Sequence, residues 1–431
     1  RANGSVAKRG KVALDVSPQA TAEFVIPVTV TVGKPGVEYF VHFSVVTRQA
    51  EPLIPIGHEI AQEQFRLPLE TEKDSYEASG KALGWKAENG KVVVSSSNVY
   101  FELDKATGMV TSYKVNGTEF FDKAFGVQPN FWRAPNDNDY GNSNPKRLQI
   151  WKESSRDFKV SDTAVREEGE TVLMSVTYDL PAGNQYLITY RIYRDGVVNV
   201  NVKFTQTDRE AEKTEVLEDT NLATFTPGKK VKKKDVFEVP RIGVRFRIPH
   251  VMNRVEYFGR GPVENYVDRN AGSMVGRYKT SVEEMYVNYV RPQENGHRTD
   301  TRWVSFTNTV GRGLLVLAEK TIGFNALRNT VEDFDSEESS HPYQWRNRSP
   351  KEVAGKNEAE AKNVLRRMTH VNDITPRDFV EVCIDMKQQG VAGYDSWGAK
   401  VQPGYTIPAN RDYVWGFTLI PIKNVGDVNK S

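Results

Sequence analysis

Apolar side chains recur at every second position along most of this chain, and a period of two is the pattern of strands, not helices. Residues 21–32 (TAEFVIPVTVTV) alternate, as do 98–104 (NVYFELD), YLITYRIYRDGVVNVNVKFTQ, RIGVRFRI, RWVSFTN and GLLVLAE. Successive residues of a strand face opposite sides, so alternation describes a sheet with one buried and one wet face. Val, Thr, Tyr and Phe fill these runs, and such residues pack well on a pleated surface. Turn pairs stand between them: Asn116-Gly117, Asp195-Gly196 and Pro227-Gly228. Helical patterning is confined to GKNEAEAKNVLRRM (355–368) and the short TSVEEMYVNY. The expected fold class is all-β, with large sheets packed as sandwiches.

A polar, charged stretch, FRLPLETEKDSYEASGKALGWKAENGK (65–91), divides the chain. The expectation is a small partial sandwich over 1–69 with four or five strands, a linker over 70–90, and a large β-sandwich over 91–426. An immunoglobulin-like unit needs about seven strands in about 100 residues, so the first part looks truncated. The chain opens RANGSVAKRG, without Met, and reads as a piece of a longer protein.

Charge excludes some partners. The 58 basic and 56 acidic residues leave a net charge of +2, which gives no field for a nucleic acid. The run KKVKKK (229–234) follows TPG and reads as a solvated loop. No stretch of about 18 apolar residues is present, so no membrane-spanning helix is expected. The single cysteine, Cys383 in FVEVCID, reads as a buried core residue, and it can build neither a disulfide framework nor a cysteine metal site. None of the six histidines pairs at metal-ligand spacing.

Four loops carry more polar chemistry than plain connections need. RAPNDNDYGN (133–142) fails as a calcium loop: with Gly141 at the sixth position, Tyr140 stands fifth and Arg147 twelfth. From its residues alone it reads as an Asx-rich surface loop with local salt bridges. FGRGPVEN (258–265) reads as a turn after a strand, since it lacks the Lys and third Gly of a phosphate loop. YVRPQENGHRTDTRWVSF (289–306) suits either a functional loop or a buried polar network joining two sheets. GYDSWG (393–398) holds a Trp beside an Asp and between glycines. An indole there either stacks on the apolar face of a sugar or packs between sheets.

The segments RAPNDNDYG, EYFGRGPVENYVDR, YVRPQENGHRTDTRW and GYDSWG stand here in the order and spacing of the C-terminal part of glycoside hydrolase family 2 β-galactosidases, which the chain resembles. LDVSPQ and PIGHEIAQEQFRL (55–67) are similar to the immunoglobulin-like domain that precedes that part. The resemblance runs from about residue 11 to about residue 422. It implies a partial immunoglobulin-like sandwich followed by a galactose-mutarotase-like β-supersandwich. It also implies a parent that hydrolyses terminal non-reducing β-D-galactosides with retention, using two glutamates about 5–5.5 Å apart. In the family those glutamates, the Mg2+ ligands and most of the Na+ ligands belong to a (β/α)₈ barrel.

The resemblance therefore implies no catalytic residue and no metal ligand in this chain, and Glu264 and Glu294 are not promoted to catalysts. It places Trp397 against substrate. It puts Arg133, Asp137, Asp139 and Gly141 on a loop beside the site, with Gly141 as a hinge, while Asp395 and Arg133 hold their loops by local hydrogen bonds. The implied partners are a galactoside, the catalytic barrel and further copies in a homo-oligomer, and the compartment is left open between a bacterial cytoplasm and periplasm. Two departures stand out: Tyr394 replaces a polar residue common before the Trp, and a polar insertion occupies 332–360. A free-standing carbohydrate-binding module and an aldose 1-epimerase-like protein are the alternative readings.

Overall fold

The computed structural model describes residues 4–26, 37–69, 76–206, 215–216, 231–232, 238–335, 370–395 and 398–423. The chain divides into two compact units, one over 1–77 and one over 78–428. In the first, β1 (Phe40–Val46) and β2 (Glu59–Arg66) pair antiparallel. Phe43 meets Phe65 edge-on at 6.2 Å. These are the unit's two strands among the described residues, fewer than the four or five that alternation suggests. Residues 21–26 form no ladder, and Val25 is 96% exposed. Alternation makes a strand only where a partner supplies hydrogen bonds. The rest of that run, 27–32, lies outside the described residues, as does the helical stretch at 355–368.

The second unit opens with a five-stranded antiparallel sheet. Its strands are β3 (Gly84–Glu88), β4 (Lys91–Ser95), β5 (Val99–Asp104), β6 (Val110–Val115) and β7 (Thr118–Glu119), in that order. The sheet thus begins inside the polar stretch that reads as a linker. Asn116 (φ +50°) and Gly117 (φ +78°) form the two-residue turn from β6 to β7, with the positive dihedrals such hairpins require.

A twelve-stranded sheet follows. Its first strands are β8 (Gln128–Asn130), β9 (Lys159–Glu168), β10 (Thr171–Asp179), β11 (Gln185–Ile192) and β12 (Val198–Thr205). A separate two-residue ladder joins β13 (Glu215–Val216) to β14 (Val231–Lys232). The large sheet resumes with β15 (Arg241–Pro249), β16 (Arg254–Gly261), β17 (Met274–Ser281) and β18 (Arg298–Thr307). It ends with β19 (Gly313–Leu327), β20 (Phe379–Gln388) and β21 (Tyr413–Ile422). The strand order is β17-β16-β18-β19-β21-β12-β11-β10-β9.

β19 makes this a sandwich. Its residues 313–318 pair with β21 and its residues 323–327 pair with β20, which continues the sheet to β15 and β8. The fork turns one branch over the other. Tyr186 of β11 reaches across to donate its hydroxyl to the Gly243 carbonyl of β15 at 2.9 Å. The five-stranded sheet packs on the same core. Phe101 lies 5.4 Å from Tyr190, and Phe121 lies 5.5 Å from Phe246.

β11 keeps the one-sided alternation expected of it, whereas β15 does not: both its faces are covered. Arg241 is fully buried and Arg245 nearly so. β20, its ladder partner, sets Asp385 opposite Gly243 and Glu381 opposite Arg247, and both acids are also buried. Charges tolerate such burial only when paired, and these are. Arg245 and Arg247 approach Glu381 at 3.4 and 3.1 Å, and Arg241 approaches Asp385 at 3.2 Å.

Candidate functional site: a braced loop above a buried charge network

β20 runs straight into residues 389–399, and RAPNDNDYG and the turn at Asp268 both bond to this loop. RAPNDNDYG holds its near side. The segment folds into α1 (Asp137–Gly141), with Asn136 as N-cap. Asn136 Oδ1 accepts from the Asp139 amide at 2.8 Å, and Asp139 Oδ2 accepts from the Asn136 amide at 3.2 Å. This reciprocal cap satisfies two donors that a helix start leaves unpaired.

Arg133 then joins the cap to the loop. Its Nε and Nη2 donate to the two oxygens of Asp139 at 3.0 and 2.8 Å. Nη1 donates to the Gln389 carbonyl at 2.8 Å and to Gln388 Oε1 at 3.3 Å, and Nη2 also donates to the Gly390 carbonyl at 2.9 Å. All five guanidinium donors are matched. The residues alone suggest a solvent-exposed loop here. Instead Arg133, Asn136, Asp139, Asn142 and Asn144 are buried, because the Arg133 fork and the Asx side chains bond inward.

Asp137 stays at the rim. Its side chain is exposed and stands 3.7 Å from Arg291 Nη1, while its amide donates to Gln293 Oε1 at 3.2 Å. Gly141 is helical and abuts Gly398. A Cβ on Gly398 (φ +83°) would lie 2.4 Å from the Gly141 carbonyl oxygen, so this backbone-to-backbone approach needs glycine.

The loop is also pinned across its own base. Tyr394 donates its hydroxyl to the Lys400 carbonyl at 2.9 Å, and Asp395 Oδ1 accepts from the Ala399 amide at 3.1 Å. Trp397, the residue placed against substrate by resemblance, lies outside the described residues, as does Ser396.

Two contributors were not picked out from the sequence. Asn138 Nδ2 donates to the Val391 carbonyl at 2.8 Å. Asp268, between β16 and β17, accepts from the amides of Val391 and Ala392 at 3.0 and 2.8 Å. Asp268 stands within the quoted EYFGRGPVENYVDR, but a carboxylate that binds backbone amides leaves no pairing signal in a sequence.

Beside the end of β20 the QENGHRTD segment takes part in a buried polar network, one of the two forms that its residues allow. Glu294 Oε1 accepts from Arg241 Nη2 at 3.1 Å, Asn325 Nδ2 at 3.0 Å and Gln388 Nε2 at 3.2 Å. His297 Nδ1 stands 3.7 Å from Asp385 Oδ2, and the His297 ring stacks on Tyr266 at 5.5 Å. Burial pushes the His297 imidazole well below its ordinary range, helped by Arg241, Arg298 and Arg133. Burial lifts the Asp385 carboxyl to about 7, with Glu294 adding to the lift and Arg241 opposing it. A cavity of about 10 Å³ beside Glu294 has room for one water and none for a sugar.

Glu264 is likewise committed. It accepts from the Gly296 amide at 2.8 Å, from Arg269 Nη2 at 2.9 Å and from the Tyr289 hydroxyl. Among the described residues, no three His, Cys, Asp or Glu side chains converge as metal ligands.

The β-galactosidase small-chain family model matches residues 95–419, and that of β-galactosidase domain 4 matches residues 1–68. A β-galactosidase of Priestia megaterium is 31% identical over 423 residues, covering 97% of this chain and 35% of that protein. One from Streptococcus thermophilus is 28% identical over 411 residues, covering 95% and 34%. The chain thus spans about a third of the length of these curated relatives. A galactose mutarotase related enzyme from Lactobacillus acidophilus aligns with 77% of this chain and 97% of its own, at 9% identity and a TM-score of 0.35. With a family model matching three quarters of its length, this chain belongs to the β-galactosidase small-chain family.

Proposed function

We propose that this chain is the non-catalytic C-terminal portion of a retaining β-galactosidase, and that its 391–399 loop forms one wall of the galactoside pocket through Trp397. The observation that carries this reading is convergence. RAPNDNDYG and the Asp268 turn come from distant parts of the chain, and both fix the one loop that bears Trp397, while the network around Glu294 holds Gln388 at the end of the strand that leads into it. Binding walls work when their backbone is held rigidly by supporting contacts.

Retaining hydrolysis needs one carboxyl to protonate the leaving oxygen and a second to attack the anomeric carbon. Glu264 and Glu294 each take three internal hydrogen bonds, which supports assigning both reacting carboxyls to the part of the enzyme outside this chain. What this chain supplies is orientation. An indole face covers the apolar C–H face of a pyranose and excludes water from it. We assign the Mg2+ and Na+ that the resemblance implies to the part of the enzyme outside this chain. The barrel-bearing part of the enzyme is the chain's natural partner, within a homo-oligomer to which this portion lends subunit contacts. An epimerase would need a His and a carboxylate in an open cleft, and His297 and Glu294 are only 1% and 5% exposed.

The test is turnover of nitrophenyl β-galactoside by the purified chain. No hydrolysis above background is expected. Hydrolysis that disappears on substituting Glu264, Glu294 or His297 would overturn the assignment.

A further inference from the structure

We propose that Asp268 is a positioning residue for the galactoside-binding loop: its carboxylate clamps the backbone at 390–392 and thereby sets where the following residues reach the sugar. This rests on the reading that the loop meets the galactoside.

The clamp is built from both sides. On one side, Tyr266 and Arg269 close a tight turn, with the Arg269 amide donating to the Tyr266 carbonyl at 2.7 Å, and Asp268 stands within it. The turn is itself anchored. Tyr266 stacks on buried His297, Arg269 pairs with Glu264 at 2.9 Å, and Asn265 Oδ1 accepts from the Thr299 amide at 3.0 Å. Asp268 is therefore carried by a fixed support.

On the other side, each carboxylate oxygen takes one amide: Val391 on Oδ1 and Ala392 on Oδ2. Two parallel charge-assisted bonds to successive amides fix both the position and the orientation of that peptide. Gly390 makes the approach possible, because a Cβ there would lie 2.4 Å from Asp268 Oδ2. Immediately beyond, Ala392 has φ +55° and Gly393 φ +96°, so the chain turns sharply as it leaves the clamp. A displaced clamp would re-aim everything after that turn.

The experiment uses the full-length enzyme in five forms: the parent, Asp268→Ala, Gly390→Ala, Trp397→Ala and the Asp268→Ala/Trp397→Ala double variant. Each is assayed for KM and kcat on nitrophenyl β-galactoside and for hydrogen exchange in peptides covering 390–395. Asp268→Ala is expected to speed exchange there by about tenfold or more. It should raise KM by about three- to tenfold with a smaller change in kcat. The double variant should match Trp397→Ala alone, because both act through one loop. Gly390→Ala, which keeps the carboxylate but displaces it, should repeat both effects, and it carries the test if Asp268→Ala does not fold.

Unchanged exchange overturns the clamp and leaves the functional reading standing. KM effects that multiply in the double variant overturn the positioning role in the same way. Faster exchange with Trp397→Ala kinetically silent overturns the functional reading, and the positioning role falls with it.

Discussion

The strand pairs β11–β12 and β15–β20 read alike in sequence and end in opposite environments. On β11–β12 the polar alternates reach the surface: Asn201 and Lys203 are exposed, and Arg191 is partly so. On β15–β20 the charged alternates Arg241, Arg245, Glu381 and Asp385 are buried, and Arg247 and Lys387 are partly so. Alternation reports the pleat of a strand. It does not report whether the second face is wet. The distinguishing signal is charge complementarity: β15 carries arginines at 241, 245 and 247, and its ladder partner carries acids at 381 and 385. A solvated face has no need of that match, whereas a covered face cannot do without it.

Removing one charge from each pair should separate the two environments most sharply. Arg241→Ala leaves Glu294 and Asp385 buried without their cation, and should destabilise the chain by about 3–5 kcal/mol. Arg191→Ala removes a partly exposed pair with Glu168 and should cost at most about 1 kcal/mol. Urea unfolding of the whole chain measures both. Equal losses would break the comparison.

A smaller effect follows from pH. His297 is held neutral in the folded chain, while an unfolded histidine takes a proton near 6.5. Its contribution to stability is present above about 6.5 and is lost as pH falls. Asp385 runs the other way. Its folded carboxyl titrates near 7, against about 3.9 unfolded. Its contribution is present below about 3.9 and is lost as pH rises through about 7. Between about pH 4 and 6.5 the two slopes oppose each other. His297→Gln leaves only the Asp385 slope, so the variant should gain stability relative to its parent on acidification from pH 7 to 5. The relative gain approaches about 1.4 kcal/mol per pH unit once the unfolded histidine is fully protonated. Parallel stability curves for the two proteins would contradict this.

What the residues alone reveal follows the same division. The all-β class, the one-sided strand β11 and the Asn116-Gly117 hairpin are legible, because pleat and turn depend on neighbours in the chain. The burial of RAPNDNDYG is not legible. It depends on Arg133 finding the carbonyls of Gln389 and Gly390, which only the folded sheet brings near. Asp268 is invisible for the same reason, since its partners are backbone amides. Tyr394, which departs from the family pattern, gains an account only from the fold: its hydroxyl ties the loop to Lys400. Family resemblance located these segments through their order along the chain, and the structure adds the contacts that join them.

The central claim is that the loop braced by Arg133, Asn138 and Asp268 forms a wall of a galactoside pocket. The most direct test is Trp397→Ala in the full-length enzyme, with KM and kcat measured on nitrophenyl β-galactoside and unfolding measured alongside. Loss of an aromatic stacking contact of about 0.5–1.5 kcal/mol should raise KM roughly two- to twelvefold while the unfolding transition stays in place. Unchanged KM and kcat would remove the loop from the pocket and contradict the claim.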